Sequence, residues 1–449
     1  MKEYNYRHVA RIVVEAKTPL AIGTGAKNIL TDSPVAIDVN GLPYIPATSL
    51  AGVIKSAIDD DSIFGYQDEN GGEGSMIVFT DAVIVGKEGR AIDGLCNIDW
   101  NDDFYRHYAY MPLRQHVRIN KLGTTDNSGK FDGQVVYKGT RFVFEMELIS
   151  DSGCDQSLAG IIERLRLADF RIGGGTRKGY GKISIVGVQK AVVNLKDSDD
   201  LNAYLKKSSS LSQDWEKYSP YDGDINEEKA SDWDAYSLTL KPLDFMLFGS
   251  GISDDDADNV TVSESVVEWN NENDTPQMVE RRILIPASSL KGAIAHRTAY
   301  YYNKITGRFA KTTEDVKAYE DNFAVETLFG IAGQNSKEIK RGNVLFSDIF
   351  GESSREKVMH HVKIDYFTGG AINGALFQEK VAMGKGESYK TDILVNRNIM
   401  GFEEVIEAFE KALIDICEGL LPLGGATNRG YGIFDGELKK NGVRIYPKE

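Results

Sequence analysis

Apolar and polar positions follow two rhythms along this chain, and each rhythm occurs twice. His8–Ala16 is a nearly unbroken β-branched run bounded by polar residues, and it predicts a strand. Tyr236-Ser237-Leu238-Thr239-Leu240 alternates with period two and predicts another. Each is followed by a glycine loop, Gly23-Thr24-Gly25 or Gly249-Ser250-Gly251, and then by a helix start, Ile45-Pro46-Ala47-Thr48-Ser49-Leu50 or Ile285-Pro286-Ala287-Ser288-Ser289-Leu290. The hydroxyls of Thr48/Ser49 and Ser288/Ser289 can cap helices running to about Asp59 and Tyr302. Arg141–Leu148 reads as a further strand, and helical spacing returns over Leu158–Phe170 and Phe402–Gly419. Strand, helix, strands, helix and final strand describe an α+β domain of the ferredoxin-like (RRM-like) kind, with a large insertion in its middle.

The two rhythms belong to an internal repeat. Besides the helix start, Phe64-Gly65 returns in Leu328-Phe329-Gly330, and Met76–Asp81 returns as Val344-Leu345-Phe346-Ser347-Asp348. Gly174-Gly175-Thr176-Arg177-Lys178-Gly179-Tyr180-Gly181 returns as Gly425-Ala426-Thr427-Asn428-Arg429-Gly430-Tyr431-Gly432. Four motifs in one order make the chain two copies of one domain. Their spacing predicts a longer helical region after Gly292 in the second copy and a shorter middle part. Residues 1–188 form the first domain and 236–449 the second. Residues 189–235 read as an acidic, polar linker, with a short helix over Ser198–Lys206 that Ser198 can cap.

Composition narrows the classes. The chain has 449 residues, 41% of them hydrophobic, enough for packed cores. No apolar run approaches a membrane span, and Met1–Arg7 lacks the apolar core of a secretory signal. Cys96, Cys154 and Cys417 lie far apart and make neither a CxxC pair nor a zinc site, so a reduced, cytoplasmic setting is expected. The net charge of −15 opposes long-range attraction of RNA. Much of that acidity is clustered, however, between Asp197 and Asp234 and at Asp254, Asp255, Asp256 and Asp258. Binding depends on the field along a groove, to which neighbouring subunits can contribute.

With these motifs the chain resembles the RAMP superfamily of CRISPR-associated proteins, and in particular the fused double backbone subunits of type III (III-D-like) effector complexes. The signature elements are the helix starts Pro46–Gly52 and Pro286–Gly292, the Phe-Gly pairs, and the loops Arg177–Gly181 and Arg429–Gly432. Two departures occur in the first copy. Ala51 stands where the family has a basic residue, and Lys178 stands where the second copy and the family have arginine.

The resemblance implies guide RNA, complementary target RNA and other effector subunits as partners. Glycine loops let backbone N–H groups approach phosphates, and Arg177, Lys178 and Arg429 add charge. The helix starts offer Ser49 and Ser289, with Lys55, Lys291 and Arg297 on the helices behind them. The middle segments resemble the family's β-hairpin thumb, which pushes between guide and target bases. Arg118 and Lys121 in the first, and His361 and Lys363 in the second, alternate with apolar residues so that one face meets RNA. The second thumb continues Thr368-Gly369-Gly370-Ala371. Adjacent His360 and His361 point to opposite faces of a strand, which argues against a metal pair there.

In cutting members of the family, an aspartate in the loop after the first strand cleaves target RNA with Mg²⁺ or another divalent cation. Asp32-Ser33-Pro34-Val35, followed by Gly41-Leu42-Pro43-Tyr44-Ile45-Pro46, matches that pattern. Asp32 is therefore the candidate catalytic and metal-binding residue of the first copy. In the second copy Asp258 follows Gly251 at the same spacing as Asp32 follows Gly25, whereas Asp274-Thr275-Pro276 keeps the Asp-x-Pro pattern. Both are candidates there, with Asp258 preferred, also as the metal ligand. Two other readings stay open: a non-catalytic RNA scaffold, and a metal-free guide-processing nuclease using His116 or His360/His361 as acid–base groups.

Overall fold

The structure, a computed structural model, describes residues 4–447 apart from 28–30, 69–70, 120–124, 229–231, 271, 310–321, 332–338, 353–354 and 400–401. In the first copy, β1 (Tyr6–Ala16) is followed by α1 (Ala47–Ile58), β2 (Ile77–Phe79) and a hairpin of β3 (Leu113–Ile119) and β4 (Thr125–Gln134). Then come β5 (Arg141–Ser150), α2 (Ser157–Leu165) and β6 (Ile183–Asn194). β1 lies between β6 and β5, and β2 pairs with β5, all antiparallel. α1 and α2 cover one face, burying Leu50, Ile54, Ile161, Ile162 and Leu165 against Ile12, Val14, Phe142 and Phe144.

α3 (Ser198–Lys206) belongs to the segment between the copies. The second copy repeats the order. β7 (Trp233–Pro242), the pair β8 (Ser263–Trp269) and β9 (Pro276–Ile285), α4 (Ala287–Ile305) and β10 (Val344–Leu345) come first. A hairpin of β11 (Glu356–Ile364) and β12 (Ala371–Met383) follows, then β13 (Tyr389–Asn396), α5 (Glu403–Cys417) and β14 (Phe434–Lys440). The sheet order β10-β13-β7-β14 reproduces the first copy strand for strand. As the motif spacing implied, α4 is longer than α1.

The segment expected to be a linker is largely part of the first domain. β6 runs on to Asn194, past the boundary at 188, and Ser219–Pro220 pairs with it. Trp215 packs on Val9, Ala191 and Val193, and Leu211 on Val83, Val85 and Val143. A few apolar anchors in an acidic stretch thus cover the outer face of the first sheet. This is why β1 is apolar on both faces, while β7, covered on one, alternates. Glu145, on the covered face, accepts from Arg11, Lys207 and Tyr218, so this burial is also polar. α3 spans the expected residues, but its cap is Asp197, whose carboxylate accepts from the N–H groups of Asp199 and Asp200.

The repeated Thr/Ser-Asp motif has a structural role the sequence did not suggest. Neither α1 nor α4 has a side-chain cap from its own hydroxyls. Instead Ala47 donates its N–H to Asp81 at 2.7 Å, and Ala287 donates to Asp348 at 2.8 Å. A carboxylate at a helix N-terminus satisfies an orphan donor and complements the helix dipole.

The two copies meet through a polar and aromatic seam. The Arg114 guanidinium, on β3, forks onto Glu264 and reaches Asp348 at 3.1 Å, and all three are buried. Trp269 donates to the Gly139 carbonyl at 2.8 Å. Arg177 donates to the Gly342 carbonyl at 2.8 Å. Gly179 packs so closely on Ala287 that a Cβ there would lie 2.3 Å from the alanine methyl. Among the described residues no helix is long and apolar enough to cross a membrane.

Candidate active site

Both sites are built at the base of a hairpin. In the first copy the loop after β1 folds back on itself, with Gly23 bridging Val35, and is then pinned to β4. Gln134 donates its N–H to the Ser33 carbonyl at 2.9 Å, and its side chain accepts from Val35. Asp32 sits at the crest. Its N–H donates to Asp132 Oδ1 at 2.8 Å, and the N–H of Asp132 faces Asp32 Oδ2 at 3.4 Å. Thr31 Oγ1 also donates to Asp132 Oδ1 at 2.8 Å. Lys27 Nζ lies 2.8 Å from Asp32 Oδ1. The Lys27 hydrogen bond and then the Asp132 N–H hold the Asp32 carboxyl below the usual aspartate range, so it is ionised at neutral pH.

In the second copy the loop between β7 and β8 has the same course, with Gly249 bridging Thr261. Asp258 donates its N–H to the Gln378 carbonyl at 3.0 Å, and Gln378 donates its N–H to Asp258 Oδ2 at 2.8 Å. The hairpins fix which residues correspond. His116 is opposite Phe131, with rings stacked at 5.0 Å, and His361 is opposite Phe377, stacked at the same distance. The next residues, Asp132 and Gln378, are therefore equivalent. Asp32 and Asp258 each take the N–H of that residue on the same carboxylate oxygen.

This geometry separates the two second-copy candidates. Asp258 is exposed beside its hairpin, and the Asp32 side chain is 42% exposed beside its own. Asp274 lies in the β8–β9 turn with φ 51° and pairs with Arg141 of the first copy at 2.5 Å. The Asp-x-Pro pattern there marks a turn at the seam rather than a counterpart of Asp32. Lys380 pairs with Asp254 and Asp256, which neutralises part of the acidic loop.

The basic candidates fall into three groups. Arg177, Lys178 and Lys291 come together across the seam, where the first glycine loop meets the start of α4, and Ser289 is half-buried in the first turn of that helix. Burial, then the charges of Lys178 and Arg177, holds Lys291 below its usual lysine range. Burial, then Arg341, lowers Arg177 to about 10, and Arg341, which sequence reading missed, precedes the Gly342 whose carbonyl accepts from Arg177. A second group is engaged inside the protein. Lys55 donates to the Gly65 carbonyl and pairs with Asp61, Arg297 pairs with Asp415 on α5, and Arg429 forks onto Glu379. Arg297, read as facing RNA, is thus placed on the helical layer, because α4 packs on α5. Ser49 is half-buried at the start of α1.

The hairpins hold the third group. Lys363 is exposed, and His361 is half-buried with Nε2 3.1 Å from Glu379. The backbone at Arg118 lies in β3, but its side chain is outside the described residues, as is Lys121. The second hairpin ends in Tyr366 and Phe367, 93% and 91% exposed, over a turn organised by Asp365, which accepts from the N–H groups of Phe367 and Thr368. His116 is half-buried, and burial, then Lys178 and Arg114, depresses it to about 4. It therefore stays neutral near pH 7 and lies 3.1 Å from the Tyr180 hydroxyl.

Among the described residues no group of three or more His, Cys, Asp or Glu side chains could by itself hold a metal ion. Mg²⁺ suits such a place, since it keeps several waters and binds through one or two carboxylates plus substrate phosphates. Asp32 with Asp132, and Asp258, fit that demand as hard oxygen donors.

Comparison with known proteins agrees with the repeat. The sequence profile of the RAMP superfamily matches residues 13–184 and again 239–435. A curated protein of Methanocaldococcus jannaschii, the CRISPR system Cms endoribonuclease Csm3, is 27% identical over 228 residues, spanning 44% of this chain and 85% of that protein. The chain belongs to the RAMP superfamily, and it carries the family's domain twice.

Proposed function

We propose that this chain is a double backbone subunit of a type III CRISPR effector, which binds guide RNA and the guide–target duplex and cuts target RNA at two places. The observation that carries this reading is the matched pair Asp32 and Asp258. Each is an exposed carboxylate at the base of a hairpin, held by the N–H of the residue after the stacked phenylalanine. The strand order, fourth-first-third-second with helices after the first and third strands, is that of the ferredoxin-like arrangement and supports the same reading.

The ends of the chain support stacking with other subunits. Asp348 is buried in the seam, but its counterpart Asp81 is exposed. Gly179 is pressed on Ala287, but its counterpart Gly430 has nothing within 4 Å of a built Cβ. The contact between the copies is head-to-tail, so each end presents an open half of the same seam. Guide phosphates would lie along the Arg177, Lys178, Lys291 and Arg341 patch, and the exposed aromatic tip of the second hairpin would enter between bases.

At the cutting sites a divalent ion held by Asp32, or by Asp258, would polarise the scissile phosphate and stabilise developing charge. Asp32 is ionised and fixed by the Asp132 N–H, so it needs no reorientation to receive a cation. Lys27 would leave Asp32 when RNA and metal arrive, and its ammonium would then face the phosphate. Of the histidines the guide-processing alternative would use, His116 is held neutral and half-buried. The test is incubation of the guide-loaded complex with complementary RNA. Two cuts from this subunit, both abolished by a chelator, are expected; metal-independent cutting of the guide precursor would favour the alternative.

A further inference from the structure

The two proposed sites differ at a hairpin position that no motif marks. In the first copy the acid loop is held by a side chain: Asp132 Oδ1 accepts from the Asp32 N–H and from Thr31 Oγ1, both at 2.8 Å. In the second, the corresponding bond is main chain to main chain, from Asp258 to the Gln378 carbonyl. The first site therefore holds two carboxylates, whereas the residue of the second copy that corresponds to Asp132 is the uncharged Gln378.

We propose that Asp132 is the positioning residue of the first cutting site and the second negative group for its divalent cation, and that Gln378 leaves the second site with a greater demand for metal. This rests on the cutting function proposed above. Asp132 does two separable things. One oxygen fixes the loop carrying Asp32, which an amide oxygen would also do. Its charge deepens the local negative potential, which an amide would not. With the phosphate supplying the other oxygens, a second carboxylate favours the dehydration that Mg²⁺ undergoes reluctantly.

The experiment uses the guide-loaded complex with Asp132→Asn, Asp132→Ala, Gln378→Asp and Asp32→Ala variants. Each cut is followed against Mg²⁺ concentration, and Mn²⁺ binding is followed by electron paramagnetic resonance with a 2′-deoxy target that is not cut. Wild type is expected to reach half-maximal first cutting at lower Mg²⁺ than second cutting. Asp132→Asn should raise that midpoint for the first cut by about tenfold and weaken Mn²⁺ binding similarly, with its rate at saturating metal little changed. Asp132→Ala should also lower the saturating rate, because the loop loses its anchor. Gln378→Asp should lower the midpoint of the second cut. If Asp32→Ala abolishes the first cut but Asp132→Asn leaves its metal dependence and Mn²⁺ binding unchanged, the role of Asp132 fails alone. If the first cut survives Asp32→Ala, the cutting function itself fails and takes this inference with it. Loss of both cuts together in Asp132→Asn would mark a general structural role and overturn the proposal.

Discussion

Gln378 donates its backbone N–H to the Asp258 carboxylate at 2.8 Å, across 120 residues of chain. This contact gives Asp258 the bond that Asp32 makes in the first copy, while Asp274 pairs with Arg141 at the seam. Asp258→Ala is expected to suppress the second cut by a hundredfold or more, on the order seen when a directly acting group is lost, without weakening RNA binding. Asp274→Ala should leave both cuts intact and cost roughly 0.2–1 kcal/mol, since its exposed side chain pairs with an Arg141 that Glu15 also holds. Cut-site mapping with each variant decides between them.

The seam should be sensitive to Arg114. Removing its guanidinium leaves Glu264 and Asp348 buried together without their counter-charge. Arg114→Ala is expected to destabilise the chain by about 3–5 kcal/mol, read as a lower urea midpoint. A change below about 1 kcal/mol would contradict the assignment of the seam.

Asp348 gives that seam a pH dependence. Burial pushes it up to about 6, opposed by Arg114 and the Ala287 N–H. Its folded value lies above the ordinary aspartate value, so the native state holds the extra proton between about pH 4 and 6. The contribution of Asp348 to stability is therefore greatest below that window, falls as pH rises through about 6, and is level above it. Asp348→Asn keeps an acceptor for Ala287 and carries no charge. Relative to wild type it should gain stability by roughly 1–3 kcal/mol between pH 4 and 7. A relative loss over the same range, measured by chemical unfolding, would contradict this.

Much of the fold was legible because repeats and apolar rhythm survive in one dimension. Motif order gave two copies, and the strands, helices and hairpins appear near their expected positions. What escaped depended on contacts between distant segments. Hydroxyls beside Pro46 and Pro286 suggested local caps, but Asp81 and Asp348 supply them from the next strand region. Acidic composition concealed Trp215 and Leu211, whose apolar surface closes the first sheet. Arg297 and Arg429 look free for RNA until their carboxylate partners are placed. Asp132 could be found only from the hairpin register that aligns Phe131 with Phe377.

The exposed tip of the second hairpin separates binding from folding. Tyr366→Ser with Phe367→Ser should change stability by no more than about 0.5 kcal/mol, because neither ring is packed in the core. Binding of the guide–target duplex by the assembled complex should weaken by about 1–3 kcal/mol per lost stacking contact. Unchanged duplex binding would remove the tip from the RNA interface.

The most direct test is target-RNA cleavage by the guide-loaded complex in Mg²⁺, comparing wild type with Asp32→Ala, Asp258→Ala and the double variant. The proposed function predicts that each single variant loses one cut and keeps the other, that the double variant loses both, and that target RNA still binds in all three. Survival of both cuts in the double variant would contradict the account and leave this chain as a scaffold for RNA.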